Sequence, residues 1–170
     1  AELKKQYEVT EVSPDEDYPA DLDVLLAALA SSLTEPQIGR MVDYVTAGKP
    51  VLILEDPLPM FDPSLAASEP RGSGQNPFMT GGRPPPDPKG DVLQLFDRMG
   101  VRLPVDQVIW DAYNPHPEFR TLPPEFVFVG RGSGSSRPFN PDETAASGLQ
   151  EVVLLYPGQF SGASPGDLRF

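Results

Sequence analysis

Apolar residues in this chain fall into short runs with two distinct periods. In "TEPQIGRMVDYVTAG", Ile38, Met41, Val42 and Val45 recur at i, i+3, i+4 and i+7, which predicts an amphipathic helix over 35–47 with that stripe buried. Thr34 and Gln37 have capping-box spacing, Pro36 sits in the first turn, and Gly48 can close the helix in a left-handed conformation. "GDVLQLFDRMG" repeats the pattern with Val92, Leu95, Phe96 and Met99, capped by Asp91 and stopped by Gly100, and predicts a helix over 91–99.

Between and around these helices lie runs with strand character: 7–12 ("YEVTEV"), 51–54 ("VLIL"), 107–110 ("QVIW"), 126–129 ("FVFV") and 152–155 ("VVLL"). They are rich in β-branched or aromatic residues and stop at Asp, Gly or Pro. "DLDVLLAALASS" is ambiguous, because alanine and leucine favour helix. Strand–helix alternation downstream assigns 24–29 to a strand that feeds the first helix. The expectation is one α/β domain with a mainly parallel sheet, in which 24–29, the helix and 51–55 form a right-handed crossover.

Two stretches resist regular structure. Residues 57–90 carry nine prolines among glycines and serines, and 131–148 are Gly/Ser-rich before "PFNPDE". A loop this long inside a domain is usually functional or an interface arm. The first loop holds Met60, Phe61, Leu65, Phe78 and Met79, apolar groups that a linker normally lacks, so it reads either as a partner-binding arm or as a compact loop packed on its own domain.

Composition narrows the function. The net charge of −12 over 170 residues disfavours nucleic acid and anionic membrane surfaces as partners. There is no cysteine, which removes disulfides, thiolate metal sites and cysteine nucleophiles together. No apolar run reaches the roughly 18–20 residues needed to span a bilayer, so this segment is not expected to insert directly. "AELKKQYEVT" reads as the interior of a gene product, which predicts a piece of a larger protein.

Three groups of residues carry candidate chemistry. Glu55, Asp56 and Asp111 follow predicted strands, and if 51–54 and 107–110 are parallel neighbours their carboxylates share one sheet edge, where Mg²⁺ or Ca²⁺ could bind. The plainer reading is that they initiate turns. His116, the single histidine, lies between Pro115 and Pro117, with no G-x-S-x-G elbow to supply a serine nucleophile. A metal-dependent hydrolase would draw on Glu55, Asp56, Asp111 and His116. "RGSG" occurs at 71–74 and 131–134, where Arg71, Arg131 and Arg137 flank N–H groups able to nest an anion, but neither copy runs from a strand into a capped helix.

The order of motifs resembles a known family. Asp23 enters a hydrophobic strand, Leu33-Thr34 and Gln37 open a helix, Tyr44-Val45 and Gly48 close it, and a strand ends in Asp56-Pro57. A helix and aliphatic run at 92–103 and a "G-L-x-x-V" entry at Gly148, Leu149 and Val152 follow in the family's order. The chain resembles the auxiliary domain of uncharacterised ABC-type transport systems, the gliding-motility auxiliary component family. The resemblance implies a three-layer, flavodoxin-like sandwich similar to class I glutamine amidotransferases, here beginning after the first strand–helix unit. It implies a non-catalytic interaction or solute-sensing role without a cofactor, since the amidotransferase cysteine is missing. It also implies an extracytoplasmic location, membrane and ATPase subunits of a transporter as partners through the parent protein, and room for a homo-oligomer. Glu55, Asp56, Met60, Phe61, Phe78, Met79, Asp111 and His116 are then the candidate ligand or partner surface.

Overall fold

The strand-or-helix ambiguity at 21–32 is settled by pairing. Leu25–Ala28 (β1) forms an in-register parallel ladder with Val51–Leu54 (β2), and Leu25 lies opposite Val51. The structure is a computed structural model that describes residues 2–69 and 88–162. The chain divides into two compact units, Ala1–Glu55 with Pro70–Gly100 and Asp56–Glu69 with Val101–Phe170.

In the first unit, β1 leads through a 3-10 turn at Ala30–Ser32 into helix α1, Glu35–Thr46, which returns the chain to β2. The capping box forms as the spacing predicts: the Thr34 side chain accepts from the Gln37 backbone, and Gln37 Oε1 accepts the Thr34 N–H at 2.9 Å. Gly48 closes the helix at φ 73°, a conformation that costs glycine nothing. Ile38 and Met41 are buried as expected, but Val42 and Val45 are only half-buried and Tyr44 takes the interior position. The buried stripe is turned because residues 14–18 run along α1. The Tyr18 ring meets Tyr44 edge-on at 5.4 Å, Gln37 Nε2 donates to Asp15 Oδ1 at 2.8 Å, and Arg40 donates to the Pro14 carbonyl.

Helix α2, Val92–Arg98, starts at Asp91, whose Oδ1 accepts the Leu93 N–H, and buries Val92, Leu95 and Phe96. Its first turn is tied to that of α1 through Glu35. The two carboxylate oxygens of Glu35 accept the Asp91 N–H and Gln94 Nε2, each at 3.0 Å. Next to this clasp, the Gly90 N–H donates to the Leu33 carbonyl at 2.7 Å.

The second unit is built from short antiparallel ladders. Val101–Arg102 (β3) pairs with Ser161–Gly162 (β6), and Phe126–Gly130 (β4) pairs with Glu151–Leu155 (β5). Val127 and Phe128 of β4 are buried with Leu103 and Ala66. The Gly/Ser-rich segment 131–150 that joins β4 to β5 is a series of turns, as its composition predicts.

The architecture is therefore mixed helix and strand, and the expectation of a mainly parallel sheet needs correction. The described residues form three separate two-stranded ladders, of which only β1–β2 is parallel. Residues 107–110 are not a strand. Ile109 N–H donates to the Pro157 carbonyl and Asp111 N–H to the Pro124 carbonyl, and a proline has no N–H with which to return the second bond of a ladder. Residues 7–12 are likewise unpaired into any ladder and largely exposed.

Candidate functional site

At the carboxyl ends of β1 and β2 the chain does something its sequence does not announce. Leu29 continues the ladder by donating to the Leu54 carbonyl at 2.7 Å, then adopts φ 54°, ψ 62°. A left-handed leucine costs about 1–2 kcal/mol. The turn it makes places Ala30 and Ser31 in the interior, each 1% exposed. Ser31 N–H donates to Glu55 Oε2 at 3.2 Å, and the buried Ser31 Oγ has no hydrogen-bond partner among the described residues. Glu55 thus serves as a backbone acceptor that holds this turn to the end of β2.

The other acids of the predicted cluster are also spent on local backbone. Asp56 Oδ1 accepts the Leu58 N–H at 2.9 Å, and Asp111 Oδ1 accepts the Tyr113 N–H at 2.8 Å. Both are Asx turns, the plainer of the two readings. With no strand at 107–110 the shared sheet edge does not arise. Among the described residues no group of three or more His, Cys, Asp and Glu side chains is arranged to hold a metal ion.

His116 sits in a tight loop. Its N–H donates to Asn114 Oδ1, its Nδ1 accepts the Glu118 N–H at 3.2 Å, and its ring lies against Phe119 at 4.4 Å. The Nδ1 lone pair is therefore engaged in holding the loop. Asp111 lines a cleft of about 240 Å³ with Asn114 and Arg120, of which Arg120 carried no signal in the sequence pattern.

The arginines of the second RGSG copy do come together. Arg131 and Arg137 line one open groove of about 750 Å³, but Glu151 lines it too and Arg137 faces Asp142 at 3.9 Å. Each acid offsets the charge that an anion would need. Ser133 Oγ is occupied with the Gly130 carbonyl at 2.7 Å. Arg71, Phe78 and Met79 lie outside the described residues.

The exposed apolar groups are the more distinctive feature. After the Asx turn at Asp56, Pro57 and Pro59 are buried and anchor the chain, while Leu58, Met60 and Phe61 point outward at 37%, 55% and 107% exposure. Asp62 then caps a 3-10 turn at Pro63–Leu65, and Ala66 is buried again. A short apolar tip is thus held between two anchored ends.

No described helix is long and apolar enough to cross a membrane. No curated relative and no solved structure matches the chain. The model of one family, described as an ABC-type uncharacterized transport system, matches residues 1–170. The order of strand entry, capped helix and Asp-Pro exit read from the residues and this match over the whole sequence agree, and the chain belongs to that family, an auxiliary component of ABC-type transport systems.

Proposed function

We propose that the chain is a non-catalytic interaction or solute-sensing module of its transport system, working on the extracytoplasmic side and contacting the transporter's membrane subunits. The observation that carries this reading is the anchored tip at Leu58–Phe61. Burying a fully exposed phenylalanine gains about 1.5–3 kcal/mol on the usual area scale, and a half-exposed methionine about half as much. The tip is already braced by Pro57, Pro59 and the Asp56 and Asp62 turns, so little further ordering is needed on binding.

The chain has no cysteine, so Phe61→Cys introduces the one thiol in this sequence and supplies a direct test. A thiol-reactive photo-crosslinker placed there should trap a transporter subunit, and in intact cells a membrane-impermeant maleimide should label a second single-cysteine variant, Glu8→Cys, whose exposed position is outside the proposed tip. Phe61→Ser should abolish copurification of that subunit while leaving the melting temperature unchanged. Labelling only after lysis overturns the extracytoplasmic assignment, and unchanged copurification of the Phe61→Ser protein overturns the docking role.

A further inference from the structure

Two stretches of the second unit, 111–114 and 119–126, run beside one another and are tied at both ends. At one end the Asp111 N–H donates to the Pro124 carbonyl at 2.9 Å, and at the other Asn114 Nδ2 donates to the Phe119 carbonyl at 2.7 Å. The cleft of about 240 Å³ is lined from these two stretches. Half-buried Leu122 and Phe126 give it apolar surface, and Asp111, Asn114 and Arg120 give it polar groups. The first stretch is further fixed by Tyr113. Its N–H donates to Asp111 Oδ1 at 2.8 Å, and its ring packs so closely on Gly132 that a Cβ there would strike the hydroxyl. The two charges in the cleft are unspent. Among the described residues the Arg120 guanidinium forms no ion pair or hydrogen bond, and Asp111 Oδ2 accepts none.

We infer that this cleft binds a free amino acid as its zwitterion. The ligand's carboxylate meets Arg120, its ammonium meets Asp111 Oδ2, and an apolar side chain lies on Leu122 and Phe126. Charge selects the class. A simple anion gains from Arg120 but is opposed by Asp111 and by a chain of net charge −12, and a simple cation is opposed by Arg120. A neutral molecule with one group of each sign satisfies both side chains. Arginine suits a carboxylate in particular, because its planar fork donates two parallel hydrogen bonds. Size agrees. The cleft lies below the roughly 300–1,000 Å³ of sites for drug-sized ligands, so it takes a solute of few heavy atoms. The ties at both ends leave little ordering to be done on binding. The inference rests on the solute-sensing half of the proposed reading and names its solute class, but it uses none of the residues of the Leu58–Phe61 tip.

The test titrates the full 170-residue chain with L-alanine, L-leucine and L-phenylalanine by calorimetry, and at least one should bind below about 10 mM. The tightest binder is then compared with its deaminated analogue, which keeps only the carboxylate, and its decarboxylated analogue, which keeps only the amine. Both should bind about tenfold more weakly. Asp111→Asn deletes the charge but keeps the Oδ1 that accepts the Tyr113 N–H, and should weaken the amino acid about tenfold without weakening the deaminated analogue. Arg120→Gln removes an exposed cation and should weaken the amino acid by a similar factor without weakening the amine analogue. Both variants should keep the melting temperature. Amide shift mapping on the unaltered protein gives an answer independent of any variant: perturbations should concentrate at 111–114 and 119–126. Phe61→Ser should leave amino-acid binding unchanged, so failure here and failure of the docking tip are distinguishable. No binding of any of the three amino acids, analogues that bind as tightly as the amino acid, shifts centred elsewhere, or affinity unmoved by both variants would each overturn the inference.

Discussion

Adding a single methyl group at Gly90 should loosen the first unit. A Cβ built there lies 2.8 Å from the Glu35 nitrogen, 2.8 Å from the Thr34 carbonyl carbon and 2.8 Å from Ile38 Cγ1. Two of these neighbours are backbone atoms at the capped start of α1, held by the Thr34–Gln37 box and the Glu35 clasp to α2. They cannot rotate away, so the strand-like segment around Gly90 must retreat and stretch the 2.7 Å bond from Gly90 N–H to the Leu33 carbonyl. Overpacking of this kind costs about 1–3 kcal/mol. In a chain of this length that corresponds to a melting temperature lowered by about 2–4 °C for each kcal/mol. Trp110, the single tryptophan, belongs to the second unit and is a poor reporter of this change. Amide hydrogen exchange over Ile38–Val45 reads it directly, and protection there should fall about 5- to 150-fold in Gly90→Ala. Ile38→Ala removes the third neighbour, and the Gly90→Ala penalty measured in that background should be mostly retained. Unchanged protection in Gly90→Ala, or a penalty abolished in the Ile38→Ala background, would refute the argument that backbone contacts set the cost.

Two other glycines should respond with opposite signs. Gly39 lies in exposed α1 with open space around its absent Cβ, so Gly39→Ala should stabilise by about 0.5–1 kcal/mol, read as a raised denaturant midpoint. Gly48 also has open space, but its φ of +73° makes Gly48→Ala cost about 1 kcal/mol, and a midpoint that does not fall would contradict the capping assignment. Burial against Tyr44 raises the Tyr18 phenol above its usual 10.0, with Arg40 pulling the other way. The neutral phenol is the form that folding favours, so its contribution is complete below pH 10.0 and is lost as pH rises through the higher native value. Urea midpoints should therefore fall at alkaline pH, and Tyr18→Phe should reduce that fall.

Local signals in this chain were sufficient wherever neighbouring residues determine the outcome. The Thr34–Gln37 box, the Asp91 cap, the closing Gly48 and the apolar spacing through Ile38 and Met41 define α1 and α2 almost to the residue, because caps and helical periods act within a turn or two. Strand 25–28 was legible through alternation with those helices against its own propensity. Which strands pair was decided by tertiary structure. "QVIW" has strand composition, but the carbonyls that meet it belong to Pro157 and Pro124, and no local pattern foretells that its neighbours cannot donate in return. The acids divide between the two. Asp56 and Asp111 accept N–H groups two residues on, as turn-initiating aspartates do, whereas the Ser31 N–H that Glu55 accepts is supplied only by the folded chain. The left-handed Leu29, the buried Ser31 and the exposure of Leu26, Leu52 and Leu54 left no local trace, because burial depends on what packs across a sheet. A leucine at an alternating position reads the same whether the layer above it is present or missing.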